Sequence, residues 1–200
     1  MSAIADLLLV GPAIAACESV GCGMYSSDVL ANPYAGWSDC ILRQAGEKPL
    51  WHGLTGPGVR QQIRFTFTEG HGSYTRVIDL DERNDGTGTV LLRLIRHDPE
   101  EGLIVSPGRR RRITSADVAM IDQLGSSSGT WQHQMGTWDS EEPGQIFLHC
   151  ETLDMERATP DGYSFSSVNI SCNQPAKLMP LVQFITGLVD LKPYANGRMY

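Results

Sequence analysis

The sequence contains no run of about 20 apolar residues, so it predicts no transmembrane helix. Basic residues are fewer than acidic ones: the chain has 16 Lys and Arg and 23 Asp and Glu, which gives a formal net charge of -7. Phosphate binding requires a concentrated basic surface, so this balance argues against nucleic acid as a partner. Internal repeats and low-complexity segments are also absent. With 200 residues, 41% of them hydrophobic, the chain is expected to form one globular domain.

The motifs of common catalytic and metal sites are missing as well. None of the five histidines pairs with another at metal-ligand spacing, and no C-x-x-C pair occurs, so zinc is not expected. There is no phosphate loop, dinucleotide fingerprint or G-x-S-x-G elbow. We therefore expect no metal, no cofactor and no catalytic residue. The alternative is an exported hydrolase whose Ser, His and Asp come together from glycine-rich loops.

The first part of the chain carries the clearest positive motif. Residues 7–14 form an apolar run that is too short to span a bilayer but suits an export signal. The run ends in Ile14-Ala15-Ala16-Cys17, which resembles the lipobox of bacterial lipoproteins. In that family the cysteine is diacylated and becomes the N-terminus after cleavage, so the resemblance implies a lipid anchor at Cys17. Two or more acyl chains hold a protein firmly at a membrane.

A second interpretation of this segment places the protein in the cytosol. Residues 7–16 would then form a short buried strand or helix. It is favoured by residues 1–6, which include Asp6 but no Lys or Arg, whereas signal peptides normally begin with positive charge. A misassigned start codon would also explain this composition.

The cysteine count agrees with export. The chain has Cys17, Cys22, Cys40, Cys150 and Cys172, so an even number remains if Cys17 carries lipid. Four cysteines allow three connectivities. We favour Cys22 with Cys40, which closes a glycine-rich stretch, and Cys150 with Cys172, which links two predicted strands. The alternative is a set of reduced thiols buried in the core.

Periodicity and turn residues predict the secondary structure of the remaining chain. Alternating polar and apolar residues over 62–67 are typical of a half-buried strand, and Asn84-Asp85-Gly86 indicates a hairpin turn. Thr114 is a predicted N-cap with Asp117 in the first turn, and Gly125 is the predicted end of that helix. The other predicted elements are strands over 75–80, 87–95, 145–153 and 163–172, a short strand near 103–105, and a helix over 174–190 that Pro180 kinks.

Together these elements predict an α+β fold, an antiparallel sheet of about five strands with two helices packed on one face. Residues 1–17 are assigned to the signal segment. Residues 18–58, rich in Gly, Pro, Ser and aromatics, are assigned to a loop-rich region. Residues 59–192 form the single predicted domain, and residues 193–200 a C-terminal tail.

The stretch from about 62 to 191 resembles a group of uncharacterised bacterial exported proteins. The resemblance lies in short structural motifs and implies fold and compartment but no known activity. The matching pieces are the strand at 63–67, the hairpin at 85–89, the capped helix at 112–124, Trp131 or Trp138, the Asp161-Gly162-Tyr163 strand pair and the Leu-rich helix at 181–191.

Two features suggest contact with a partner. Arg109, Arg110, Arg111 and Arg112 form the densest charge run, which is either a solvated loop or a contact for anionic lipid, protein or wall polymer. Trp131 and Trp138 lie in a polar stretch and either form a binding platform or cover the core. We therefore predict an envelope-facing, periplasmic lipoprotein domain that binds a protein or cell-wall partner. It meets the membrane only through its lipid, and a cytosolic interaction protein is the alternative.

Overall fold

The computed structural model describes residues 23–30, 35–70, 73–98, 100–132, 150–172 and 174–191. The helices are a single turn at Ser27–Leu30, then α1 (Ala35–Gln44), α2 (Ser115–Ser128) and α3 (Met179–Leu188). The strands are β1 (Val59–Thr68), β2 (Tyr74–Arg83), β3 (Gly88–Asp98), β4 (Gly102–Val105), β5 (Arg109–Ile113), β6 (Thr152–Thr159) and β7 (Gly162–Val168). The predicted α+β class is confirmed.

All strand pairs of the sheet are antiparallel. The strand order is β4-β3-β2-β1-β6-β7, and β5 also pairs with β3. Strand β3 is long enough for two neighbours on its outer edge, since β5 pairs with its first half and β4 with its end. The sheet therefore has seven strands within the described residues, against the five that were predicted.

One side of the sheet, the helix face, carries the larger apolar core. Ile63, Phe65 and Phe67 alternate along β1 and are almost fully buried, as expected for side chains of period two. Helices α2 and α3 pack over them through buried side chains that include Ile121 and Ile185. Each such side chain contributes about 1.5–3 kcal/mol when fully buried. The prediction that two helices share one face is confirmed.

The opposite side, the N-terminal face, is covered by residues before β1. Tyr25 and Leu42 are buried there against Val77, Ile95 and Phe165 of the sheet. Within residues 18–58, the described part combines helices with the loop at 45–58, and α1 and its flanking segment form a second cover. Their apolar residues are scattered between Gly and Pro, so their helical spacing is hard to detect.

Two strands differ from the prediction for the same physical reason. Strand β5 consists mainly of the arginine run that was expected to be a loop, and β6 begins at Thr152 instead of residue 145. Both carry charged residues in a sheet, which depress strand propensity. The N-terminal part of the predicted 145–153 strand lies outside the described residues, as does the predicted tail.

The helix after β5 begins as predicted and ends later. Thr114 and Asp117 form a reciprocal capping box, with Asp117 N donating to Thr114 Oγ1 at 3.2 Å and Thr114 N to Asp117 Oδ2 at 2.8 Å. The helix passes through Gly125, the predicted stop, and ends at Gly129, whose φ of 81° suits glycine. Gly125 is inside the helix because the indole of Trp131 lies directly against it.

Replacing Gly125 by alanine is expected to destabilise the protein by about 2 kcal/mol, because the steric cost exceeds the gain of about 1 kcal/mol in helix propensity. An ideal Cβ at Gly125 would lie 2.0 Å from Trp131 Nε1. Gly187→Ala is the matched control, since its Cβ would meet nothing within 4 Å in α3. Urea denaturation should show opposite shifts for the two variants, and equal shifts would contradict the steric explanation.

Helix α3 is shorter than the predicted 174–190 helix. It spans Met179–Leu188 and carries Pro180 in its first turn, where the missing N–H costs nothing. The predicted kink at Pro180 is therefore wrong. Cys150 and Cys172, at the two ends of the β6–β7 hairpin, form a disulfide with Cα atoms 5.7 Å apart, so this predicted pair is confirmed. Cys40 is buried, and its predicted partner Cys22 lies outside the described residues.

Candidate ligand-binding site

A cleft of about 290 Å3 opens on the N-terminal face of the sheet. Its floor is formed by β1, β2, β3 and β5, and its wall by the segment that follows α1, which includes Leu50 and Thr55. This volume is at the lower end of the range for small-molecule sites. The charged side chains that line it are Glu47, Lys48, Arg64, Asp79, Asp81, Arg93 and Arg110.

The antiparallel register explains why these charges meet. Glu156 of β6, Arg64 of β1 and Asp79 of β2 are direct partners across adjacent strands, so their side chains share one face. The same row continues through Leu91 of β3 to Arg110 of β5. Opposite charges thus alternate along the inner part of the row, and a free cation lies at its outer end.

Two arginines, the buried Arg64 and the half-buried Arg93, hold acidic groups of the cleft in place. Arg64, whose side chain is 3% exposed, donates from Nε to Asp79 Oδ1 at 2.7 Å and from Nη1 to the Lys48 carbonyl at 3.0 Å. Arg93 Nη2 donates to Asp79 Oδ2 at 2.5 Å and also contacts Glu47 Oε2. The wall residue Glu47 is thereby joined to the floor, which fixes the shape of the cleft.

Burial changes the proton affinity of this network. It raises the pKa of Glu47 to about 6, with nearby Asp79 adding to the effect, and raises the pKa of Glu156 to about 7. Burial alone lowers the pKa of Arg64, but Asp79, Glu156 and Glu47 together raise it above its ordinary value. Arg64 therefore stays charged, while Glu47 and Glu156 titrate near neutral pH.

Some atoms of the network keep unused hydrogen-bonding capacity. Glu47 Oε1 and Arg93 Nε are buried and have no hydrogen-bond partner among the described residues. Glu156 Oε2 also lacks a hydrogen bond there and lies 3.6 Å from Arg64 Nη1. Unsatisfied buried polar atoms are uncommon in folded proteins and often mark functional sites.

A second polar centre fastens the N-terminal segment to the sheet. Asp154 of β6, 1% exposed, accepts hydrogen bonds from Ser38 Oγ at 2.6 Å, Ser167 Oγ at 2.6 Å and Tyr25 Oη at 3.3 Å. Asp39 adds to this attachment by accepting from the Tyr25 backbone N–H at 3.0 Å. Burial raises the pKa of Asp154 to about 6, although its three hydrogen bonds act in the opposite direction.

Stability should fall as the pH rises from 5 to 8. The raised pKa values of Asp154 and Glu156 mean that the folded state binds protons more tightly than the unfolded state, so this contribution is present below about pH 4 and is lost as the pH passes 6–7. Asp154 alone accounts for a fall of about 1 kcal/mol. Urea denaturation midpoints at pH 5, 6.5 and 8 test this, and a constant or rising midpoint would contradict it.

The stabilising effect of acid has a lower limit. Hydrogen bonds lower the pKa values of Asp85, Asp98 and Asp117, so these groups stabilise the fold above their unfolded values and lose that contribution as the pH falls further. The midpoint is therefore expected to pass through a maximum near about pH 4.

The arginine run divides between the two faces of the sheet. Arg109 Nη2 donates to the Val189 carbonyl and Arg111 Nη1 to the Leu188 carbonyl, each at 3.1 Å, so both satisfy the C-terminal end of α3. Arg110 lies on the other face and lines the cleft. The run is therefore a strand, and the solvated-loop prediction is wrong.

The other predicted site residues lie apart from the cleft or outside the described residues. Trp131 packs half-buried against the helix-face core, and the Arg157 guanidinium carbon lies 5.4 Å from the centre of its ring. Cys17 and Trp138 belong to segments that the structure does not describe. Five residues of the cleft were not predicted as site residues: Glu47, Arg64, Asp79, Asp81 and Arg93. For Arg64, Asp79 and Arg93 the one available signal was a charge inside a predicted strand.

Two features of metal and hydrolase sites are not found in the described part of the chain. It contains no cluster of three or more His, Cys, Asp or Glu side chains placed to hold a metal ion. The imidazoles of its two histidines, His52 and His97, make no hydrogen bond there to a serine, cysteine or carboxylate side chain. His52 instead contacts the Trp51 ring, with ring centres 3.9 Å apart.

No protein-family model matches the chain, and a comparison with curated proteins finds no match. Among the described residues, no helix has the length and apolar character needed to cross a membrane.

Proposed function

We propose that this chain is an envelope-facing bacterial lipoprotein domain that acts by binding a protein or cell-wall partner. In this proposal Cys17 carries the lipid, and the lipid is the only contact with the membrane. The cleft on the N-terminal face takes part of the partner. The proposal combines the lipobox-like Ile14-Ala15-Ala16-Cys17 segment with the charge arrangement of the cleft.

The observation that supports a binding role is that some charges of the cleft pair with one another while others do not. Arg64, Arg93, Glu47 and Asp79 are engaged with one another, so they shape the cleft. Charges at the opening remain available to a ligand. A site whose polar groups are held in position before binding loses little entropy when the ligand arrives.

The anchor is tested by expressing the full chain in a bacterium and analysing the membrane fraction by mass spectrometry. The expected product begins at Cys17 and carries acyl groups, and Cys17→Ser should remain unprocessed. Cys22→Ser is the matched control and should be processed like the wild type. An unmodified chain that begins at residue 1 or 2 in the cytosol would overturn the anchor and favour the cytosolic alternative.

The binding role is tested with soluble material released from purified bacterial envelope. Calorimetry of the purified protein against this material should give a saturable signal that weakens when Asp81→Asn and Arg110→Gln are combined. No signal, or one that the double variant leaves unchanged, would contradict a binding role for the cleft. Mass spectrometry of the material after incubation detects cleavage products, which would instead favour a hydrolase.

A further inference from the structure

We infer that the cleft binds a small zwitterion, namely an amino acid or short peptide with a free ammonium and a free carboxylate group. The inference rests on the proposed binding role of the cleft and names the class of ligand. It is carried by two sets of uncommitted charges of opposite sign, which lie on either side of an apolar part of the cleft floor.

The cationic side of the cleft consists of Lys48 and Arg110. Both are exposed, both line the cleft, and neither forms an ion pair within the described residues. The Lys48 backbone is fixed because its carbonyl accepts the 3.0 Å hydrogen bond from Arg64. The Arg110 guanidinium suits a carboxylate, since arginine can bind both of its oxygens.

The acidic side is provided by Asp81. This half-buried carboxylate accepts one side-chain hydrogen bond, from Gln62 Nε2 to Oδ1 at 2.8 Å. Its Oδ2 has no partner within the described residues and is available to an ammonium group. Asp79 is a poorer candidate, because both of its oxygens already accept hydrogen bonds from Arg64 and Arg93. Gln62 is itself held by Thr55, whose N–H donates to it at 2.8 Å.

The spacing between the two sides sets the size of the ligand. Leu91 pairs with Arg110, and Thr89, two residues away on the same face of β3, pairs with Asp81, so Leu91 lies diagonally between the cationic and acidic sides. Adjacent strands are about 4.8 Å apart and residues rise by about 3.4 Å along a strand, which places the Arg110 and Asp81 Cα atoms about 12 Å from each other. An extended dipeptide spans about 7 Å, and the long arginine side chain covers the remaining distance. Leu91 then contacts the ligand's apolar side chain.

Ligands with charge of a single sign fit this cleft poorly. One anionic group of a dianion would lie near Arg110 and Lys48, but its other group would be repelled by Asp81. For a dication, one group would lie near Asp81 and the other would be repelled by the two cations. Placing like charges together disfavours the wrong ligand and so contributes to specificity.

The test is isothermal titration of the purified protein with Ala-Ala, N-acetyl-Ala-Ala and Ala-Ala-amide. Ala-Ala should bind at least about tenfold more tightly than either blocked form, since each lacks one charge. Asp81→Asn should weaken the affinity for Ala-Ala about tenfold and leave the affinity for N-acetyl-Ala-Ala unchanged. Arg110→Gln should weaken the affinity for Ala-Ala about tenfold and leave the affinity for Ala-Ala-amide unchanged. Arg112→Gln is the matched control, because Arg112 is exposed on the same strand but does not line the cleft.

Three results would overturn the inference, and a fourth would overturn the proposed lipid anchor but leave the inference standing. Equal affinity for Ala-Ala and its blocked forms would remove the requirement for two charges, and equal loss in Arg112→Gln and Arg110→Gln would remove the cleft as the site. Binding of envelope material without binding of Ala-Ala would overturn the zwitterion and leave the proposed function standing. If the chain binds Ala-Ala but is not acylated in the bacterium, the proposed lipid anchor is overturned and the zwitterion site stands. Peptides released from purified cell wall, titrated in parallel with Ala-Ala, distinguish a wall source from free peptides.

Discussion

Asp154→Ala is expected to lower the free energy of unfolding by about 3–5 kcal/mol at pH 5, because three buried hydroxyl groups lose their acceptor. Two of them, Tyr25 Oη and Ser38 Oγ, belong to the N-terminal segment, and the third, Ser167 Oγ, belongs to β7. Urea denaturation measures the loss. Asp161→Ala, in the exposed turn between β6 and β7, is the control and should change stability by less than about 0.5 kcal/mol.

The amide variant separates hydrogen bonding from charge. Asp154→Asn keeps the shape of the side chain and one acceptor oxygen but cannot ionise, so it should lose less stability than Asp154→Ala. It should also reduce the fall in stability between pH 5 and pH 8, since burial raises the pKa of Asp154 to about 6. An unchanged pH profile in Asp154→Asn would show that other groups, such as Glu156, cause the whole effect.

The effect of Asp154→Ala should also be local. Hydrogen exchange is expected to accelerate first at the backbone amides of Met24 and Tyr25, which Asp39 holds at 2.7 and 3.0 Å. Amides in β1 and β2, beneath the helix-face core, should retain their protection relative to global unfolding. Uniform acceleration across the sheet would mean that Asp154 supports the whole domain and not the attachment of one segment.

The second large effect is expected from removal of the Cys150–Cys172 disulfide. The bridge joins residues 22 positions apart at the ends of β6 and β7, and closing a loop of this length is worth about 3 kcal/mol through the unfolded chain. The double variant Cys150→Ala/Cys172→Ala should therefore unfold at a lower urea concentration. Equal midpoints for this variant and the oxidised wild type would show that the bridge adds no stability.

Reduction of the wild-type protein provides an independent comparison. If Cys150–Cys172 is the chain's single disulfide, dithiothreitol should lower the wild-type midpoint to that of the double variant. A further loss on reduction would indicate a second bridge, for which Cys22 and Cys40 are the predicted pair. The double variant treated with dithiothreitol completes the comparison, since it responds only if a bridge other than Cys150–Cys172 is present.

Sequence patterns predicted the parts of the fold that depend on neighbouring residues. Strand β1 alternates over residues 62–67, the Asn84-Asp85-Gly86 hairpin turn has glycine at a φ of 80°, and the Thr114 capping box needs only the residue three positions later. Strand β5 was missed because a run of four arginines favours solvent. Two of them, Arg109 and Arg111, bind partners distant in sequence, the carbonyls at the end of α3.

The candidate site was less predictable for a related reason. Arg64, Asp79 and Glu156 lie in three different strands, among other charged residues. Their contact depends on the register between β2, β1 and β6. That register spans residues from 64 to 156, and no local pattern determines it. Glu47 reaches the same network from a segment whose composition indicated loops. Gly125 was predicted to end its helix because glycine often does so. It lies inside the helix instead, because the indole of Trp131 packs against it.

The N-terminal cover of the sheet has a practical consequence for work with shortened fragments. A fragment beginning at Val59 would retain all seven strands but lose Tyr25, Ser38 and Glu47. It would expose the apolar side chains of Val77, Ile95 and Phe165 together with charges that normally lie out of water. Such a truncation is expected to self-associate through the uncovered side, so boundaries for crystallisation or NMR should include residue 23.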